Sequence, residues 1–209
     1  MLGPEFEVYN HRNNSYYAFR PLSFDKDIDL YCKWMQQPYV AQWWGRGQTR
    51  EDLTRKLITE LEDSHQHLYI GLIDGVPASY WERYWISEDV LGNHIQHETF
   101  DQGLHFLIGE PEFLGRSHTS SATAAFMKLI FSDSRTQNII GEPDIRNKAV
   151  LTYAEATCFV QRETIQLPER TSAIMVCERE RFFSKYSRDP RQLYRASSVT
   201  QESVLQASL

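Results

Sequence analysis

The sequence predicts one mixed α/β (α+β) domain around a largely antiparallel sheet. Three observations carry this. Strand and helix patterns follow one another as β, α, α, then three strands, then α, β, α, β, β. Asp74-Gly75 sits between two alternating segments and marks a tight hairpin. A short apolar run bounded by Gly103 and Gly109 leads through Leu114-Gly115-Arg116-Ser117 into a helical pattern, as a strand feeding a helix does.

Taken in order, Tyr16 to Arg20 is aromatic-rich and alternating, which suits a strand. Pro21-Leu22-Ser23 turns the chain, and Ile28, Leu30, Tyr31, Trp34 and Met35 share one face of a helix that Gln37-Pro38 ends. Val40 to Gly45 reads as a loop with Trp43 and Trp44 adjacent in it. Such a pair either plugs the core or walls a substrate pocket. Thr49 caps a second helix whose first turn is acidic and whose stripe is Leu53, Leu57, Ile58 and Leu61. His67 to Ile73 and Val76 to Ile86 form the hairpin. Strict alternation puts Tyr80, Glu82 and Tyr84 on one face of the return strand, with Trp81, Arg83 and Trp85 on the other. Ser87 to Gln102 is a polar loop. Asn138 to Pro143 is a strand, Ile145 to Ala156 a helix, and Phe159 to Leu167 with Ala173 to Glu178 two closing strands. Residues 1–186 form the domain and 187–209 a polar C-terminal tail.

With 209 residues, 41% hydrophobic and 24% charged, the chain has enough apolar material for a sizeable core and is unlike a disordered chain. A formal charge of -6 argues against non-specific nucleic-acid binding and fits a small cationic substrate better. Cys32, Cys158 and Cys177 have no zinc spacing and read as buried thiols of a reducing cytosol. His94 and His97 lack a third ligand at a usual spacing, so no metal is expected. No signal peptide or bilayer-spanning run is evident, which makes a cytoplasmic protein without membrane partners the expectation.

The stretch from Gly103 to Ser120 carries the functional reading. First-turn N–H groups of a helix lack internal partners and the helix dipole favours negative charge there, so strand, small-residue turn and helix start together make an anion cradle. Its residues are Leu114, Gly115, Arg116, Ser117, His118, Thr119 and Ser120, and His105 sits in the strand that delivers it.

At this point the chain resembles the GNAT acyltransferases. Within them it is similar to the siderophore-biosynthesis branch, which acylates N-hydroxylated amines such as N6-hydroxylysine. The segments that carry the likeness are Met35 to Trp44, Tyr80-Trp81-Glu82-Arg83-Tyr84-Trp85, Gly103 to Gly109, Leu114-Gly115-Arg116, Glu142-Pro143-Asp144-Ile145-Arg146-Asn147 and Ala154 to Phe159. They span roughly Tyr16 to Phe183. The resemblance implies helices on both faces of the sheet and acetyl-CoA as acyl-donor cosubstrate. It implies a catalytic pair, His105 and Asp144, on neighbouring strands. It implies pantetheine contacts from the strand at Phe106, Leu107 and Ile108 and from Asn147, and leaves a homodimer open. The usual pyrophosphate loop is Gln/Arg-x-x-Gly-x-Gly/Ala, whereas Leu114, Ser117 and Thr119 stand at its defining places here. Trp43, Trp44 and Tyr80 are the expected walls for the acceptor's alkyl chain, with Glu82 as the carboxylate for a distal cation. By residue type alone, Glu82 is equally an ion-pair partner of a neighbouring base, and Asn147 equally a helix cap. The expected product is a hydroxamate. The alternatives are an aminoglycoside or polyamine N-acetyltransferase and a non-catalytic acyl-CoA-binding module.

Overall fold

The computed structural model describes residues 4–114, 117–168, 170–186 and 194–195. Strands β1 (Phe6–Asn10) and β2 (Ser15–Pro21) precede three helices, α1 (Phe24–Met35), α2 (Pro38–Trp44) and α3 (Arg50–Glu62). Then come β3 (Gln66–Ile73), β4 (Val76–Trp85), β5 (Gln102–Ile108), α4 (His118–Ile130), β6 (Asn138–Gly141) and α5 (Lys148–Ala156). The described chain closes with β7 (Val160–Gln166), β8 (Thr171–Glu178), α6 (Arg179–Tyr186) and β9 (Tyr194–Arg195). The strands make one sheet in the order β7-β8-β6-β5-β4-β3-β2-β1-β9. All neighbours are antiparallel except β5 and β6.

That exception shapes the molecule. The parallel ladder consists of Gln102↔Ile139 and Gly103↔Ile140 and stops there, while β5 stays paired with β4 as far as Ile108. From Leu104 onward β5 therefore has a strand on one side only. The sheet opens into a wedge at the C-terminal ends of its two parallel strands, where ligand sites in α/β sheets recur.

The two larger of three buried clusters hold the sheet from either side, and the third gathers Tyr84, Ile86, Leu91, Ile140 and Ile174. Trp81, Phe19 and Phe126 centre the one that carries α4, α5 and α6. Trp34, Tyr31, Leu53, Leu57 and Tyr80 centre the other, beneath α1, α2 and α3. The alternation along β4 sorts its side chains between the two, Trp81 to the first and Tyr80 to the second. A buried Asp27 fixes the entry of α1. It accepts both Arg20 guanidinium nitrogens at 2.7 Å and reaches back to the Ser23 backbone N–H at 2.8 Å, so it caps the helix that Ser23 leaves uncapped. Thr49 and Asp52 form the capping box of α3, as the sequence indicates.

Four elements differ from the sequence reading. Phe6, Val8 and Asn10 alternate inward and make β1, within a segment that reads as polar overall. The two tryptophans lie on a helix and not a loop: Pro38 supplies the fixed φ of its first turn, and seven residues are too few for a periodic signal. α6 was not foreseen, although Phe182 is buried in the first core. Tyr194–Arg195, within the expected tail, pair with β1. No helix among the described residues is long and apolar enough to cross a membrane.

The glycines that bound β5 have a second role beyond punctuation. A Cβ on Gly103 would lie 2.0 Å from the Tyr84 ring, and one on Gly109 2.1 Å from the Trp34 ring. Both indole and phenol lie flat across bare backbone. Gly103→Ala is therefore expected to lower the unfolding free energy by about 1–3 kcal/mol, the usual cost of overpacking. Urea titration checks this; a loss below about 0.5 kcal/mol would mean that the Tyr84 ring moves aside freely.

Candidate active site

His105 projects from β5 toward the α1–α3 side, directly opposite Glu82 in the β4–β5 register. Its Nδ1 is 2.8 Å from Glu82 Oε2 and its Nε2 is 2.5 Å from Glu142 Oε1. The imidazole thus lies between two buried carboxylates, with a third of its own side-chain surface still exposed. Burial alone would push the imidazole down, but Glu142 and Glu82 together outweigh it and hold the ring well above its ordinary value. Burial likewise pushes both carboxyls up, and pairing with the imidazolium brings each below its usual range. Both ring nitrogens face carboxylate oxygens, an arrangement that an imidazolium donating from both satisfies.

The remaining carboxylate lone pairs are also met. Tyr80 donates to Glu82 Oε1 at 2.8 Å. Tyr84 donates to Glu142 Oε2 at 3.1 Å, and Arg170 to Glu142 Oε1 at 3.1 Å. Trp44 closes the outer side, edge-on to Tyr80 (5.9 Å between ring centroids) and to His105 (6.1 Å). Beyond Trp44 stands Glu60 of α3, with Lys56 one helical turn before it.

The sequence-predicted residues divide accordingly. His105, Glu82, Tyr80 and Trp44 are brought together. Trp43, on the same short helix, is more than a third exposed and turned outward. Glu82 faces the imidazole and the Tyr80 hydroxyl, the ion-pair reading of this residue. Asp144 is not hydrogen-bonded to His105. Its carboxylate takes the Arg146 side chain at 2.5 Å and 2.9 Å and the Arg146 backbone N–H at 2.8 Å, contacts that pull it down to about 2. Register explains the substitution of partners. Gly103 is level with Ile140, so His105, two residues on, is level with Glu142; Asp144 is a further pleat along, about 7 Å.

Of the residues expected to meet the acyl donor, Phe106 stacks on Trp81 at 4.7 Å, Leu107 enters the second core and Ile108 the first. Their side chains are structural, and their backbone borders the wedge. Ser117 opens α4 without a side-chain cap bond. His118 is anchored by the Tyr17 hydroxyl at 2.8 Å, and the Ser120 hydroxyl donates to the Ser117 carbonyl. The Thr119 carbonyl accepts from Tyr153. Leu114 is partly exposed, while Gly115 and Arg116 lie outside the described residues. Asn147 caps α5 by accepting from Val150 N–H at 3.2 Å. No group of three metal-ligating side chains is found among the described residues.

Sequence reasoning missed Glu142, Tyr84, Arg170, Glu60 and Lys56. Tyr84 had a signal, since it shares the alternation of Tyr80 and Glu82. Glu142 lies in the Glu142-Pro143-Asp144 run, where a one-pleat offset decides which acid meets the ring. Glu60 and Lys56 had none, because they read as ordinary surface residues of an amphipathic helix.

Comparison with known proteins gives a consistent result. Residues 23–167 match the family described as acetyltransferase (GNAT) domain. An N-hydroxyputrescine acetyltransferase of Acinetobacter baumannii is 33% identical over 87% of this chain and 86% of its own length. An Escherichia coli N(6)-hydroxylysine O-acetyltransferase is 27% identical over 88% of this chain and 58% of its own. The chain spans only about a third of some other relatives it matches. Among solved structures, the aminoglycoside acetyltransferase AAC(6')-Ib in complex with coenzyme A superposes with a TM-score of 0.74. It is 20% identical, over 82% of this chain and 99% of its own.

The doubly paired imidazole makes a direct prediction. By NMR the His105 ring is expected to stay protonated well above the ordinary histidine value of about 6.5. In Glu142→Gln one of the two groups that raise its pKa is gone, so its midpoint moves down. An unmoved midpoint would show that the 2.5 Å contact does not govern the ring.

Proposed function

The chain belongs to the acetyltransferase (GNAT) domain family, and from that membership we propose that it transfers an acetyl group from acetyl-CoA to the hydroxylamine nitrogen of an N-hydroxylated aliphatic amine. The product is a hydroxamate, the iron-chelating unit of hydroxamate siderophores. The observation that carries the reading is the position of His105, just beyond the level where β5 and β6 part, in a chain 33% identical over 87% of its length to an N-hydroxyputrescine acetyltransferase.

The donor's place follows from the wedge. The extended amides of pantetheine pair with the free edge of β5 between Leu104 and Ile108 in the manner of an added strand. The pyrophosphate rests at the start of α4, around Ser117 to Ser120, where no side chain caps the helix. The thioester then lies beside His105.

The acceptor nitrogen attacks the thioester carbonyl, the N–C bond forms and a backbone N–H of β5 takes the oxyanion. The nitrogen's proton leaves, the C–S bond breaks, and the coenzyme departs as the thiol. An alkyl hydroxylamine is already largely neutral near neutral pH because its oxygen withdraws electrons. The base is needed chiefly for the proton shed by the tetrahedral intermediate. For this His105 must first give up one ring proton, which goes to the departing thiolate, and the freed nitrogen then takes the proton that the amine nitrogen sheds. Nε2 is the one, because Tyr84 and Arg170 also donate to Glu142 and stabilise it without the imidazole. The Nδ1–H stays on Glu82, which holds the tautomer and orientation. Glu82 and Glu142 are thus positioning residues for His105. Asp144, held by Arg146, is assigned no proton transfer.

His105→Ala is expected to lower kcat by roughly 10²–10⁴ with little change in acetyl-CoA affinity by calorimetry. Asp144→Ala should cost much less, and the reverse order would restore Asp144 as the acting partner. Mass spectrometry of a neutral-pH competition between N-hydroxyputrescine and putrescine tests the acceptor. The parent amine must first lose a proton, a penalty of about 1.4 kcal/mol per pKa unit. Equal or faster acylation of the plain amine would move the chain to the polyamine class.

A further inference from the structure

Glu60 lies outside the mechanism above, yet it is enclosed beside it. Its side chain is 16% exposed, and its Oε2 has no hydrogen-bond partner among the described residues. The Tyr31 hydroxyl, on a side chain with no exposed surface, faces Glu60 without completing a hydrogen bond of good geometry, and Glu82 is the next charge beside it. A buried polar atom left unmet costs roughly 1–3 kcal/mol. Here two under-satisfied atoms lie together next to the wall of the acceptor site, a carboxylate oxygen and a phenol that can turn its proton to that oxygen and keep a lone pair free. Burial, with Glu82 nearby, pushes the Glu60 carboxyl up to about 7, which marks a carboxylate short of positive charge.

Lys56 already shows what this place can take. The Lys56 ammonium stands 3.5 Å from Glu60 Oε1 and 5.6 Å from the Trp44 ring centroid. An aliphatic ammonium between a carboxylate and an indole face is a cation seat. Lys56 fills it poorly. It reaches one oxygen of two at a long distance, sits N-terminal to its acid in the weaker order for a helical pair, and has a third of its side chain exposed. It can withdraw to solvent. His105 lies edge-on to the same ring, 6.1 Å between centroids, so one short aliphatic chain can run past Trp44 from the imidazole to Glu60.

We propose that Glu60, Tyr31 and Trp44 form the seat for a second, distal ammonium of the acceptor, with Lys56 as the resident cation that the acceptor displaces. The site thereby selects N-hydroxylated diamines over N-hydroxylated monoamines. This rests on the acceptor class proposed above and moves the distal-cation role from Glu82, whose oxygens serve Tyr80 and His105, to Glu60.

The test compares wild type, Glu60→Gln and Lys56→Met on N-hydroxyputrescine and on N-hydroxybutylamine, which ends in a methyl group. Calorimetric binding of putrescine and butylamine is measured alongside. The ratio of kcat/KM for the diamine over the monoamine should fall about tenfold in Glu60→Gln, mainly through KM, the scale of one charge-assisted contact. It should rise in Lys56→Met, whose side chain is exposed enough to change without unfolding the protein. A ratio unmoved in both variants, or lowered by Lys56→Met, overturns the seat. If wild type acylates neither compound, the proposed reaction fails on its own. The seat is then judged by calorimetry: tighter binding of putrescine than butylamine, lost in Glu60→Gln, upholds it, and equal binding overturns it.

Discussion

Two buried carboxylates face each other across one imidazole, and much of the surrounding structure follows from keeping them there. An unpaired carboxylate in an apolar interior costs several kcal/mol, so Glu82 and Glu142 are tolerable only with a positive charge between them and donors on their other lone pairs. His105 supplies the charge, and Tyr80, Tyr84 and Arg170 supply the donors. The Tyr84 ring in turn needs Gly103 bare beneath it. Strand pairing brings in the rest: the β4–β5 register sets Glu82 opposite His105, and the short β5–β6 ladder sets Glu142 level with it.

The same short ladder joins fold and chemistry. A fully paired β5 would leave no backbone edge for a donor to lie along. A sheet that parted earlier would separate Glu142 from the imidazole. The parting after Gly103↔Ile140 allows both, with the protonated ring at the apex of the wedge. The opposite core, built on Trp81 and Phe126, is tightly ring-packed and keeps this strand geometry rigid. The other side of the imidazole is lined differently, by Trp44 on a two-turn helix and, beyond it, by Glu60 and Lys56 on α3.

The elements with strong local signals were legible in the sequence. The hairpin at Asp74-Gly75 has φ of 50° and 81° at its two central residues, the left-handed pair that such a turn requires. The Thr49 capping box and the alternation of β4 were equally plain. β1 was missed because its segment reads as polar overall, and α2 and α6 because each spans too few residues for a helical period to exceed chance. In the site, His105 and Glu82 were legible because both sit on strongly patterned strands.

The sequence by itself determined the mixed fold around a largely antiparallel sheet, the strand that carries His105 and the family resemblance, because these rest on local periodicity and turn chemistry. The partner of the imidazole was decided only in three dimensions. Glu142 and Asp144 are two residues apart and point the same way from the chain, so their pattern is identical in sequence. The parallel register, fixed by packing of whole strands, puts one against the ring and leaves the other to Arg146. The same holds for Glu60. On α3 it is one polar residue among many, and only the docking of that helix beside Trp44 and Tyr31 encloses it. Burial, which turns an ordinary carboxylate into a chemical feature, is a property of the assembled layers and is written in no single segment.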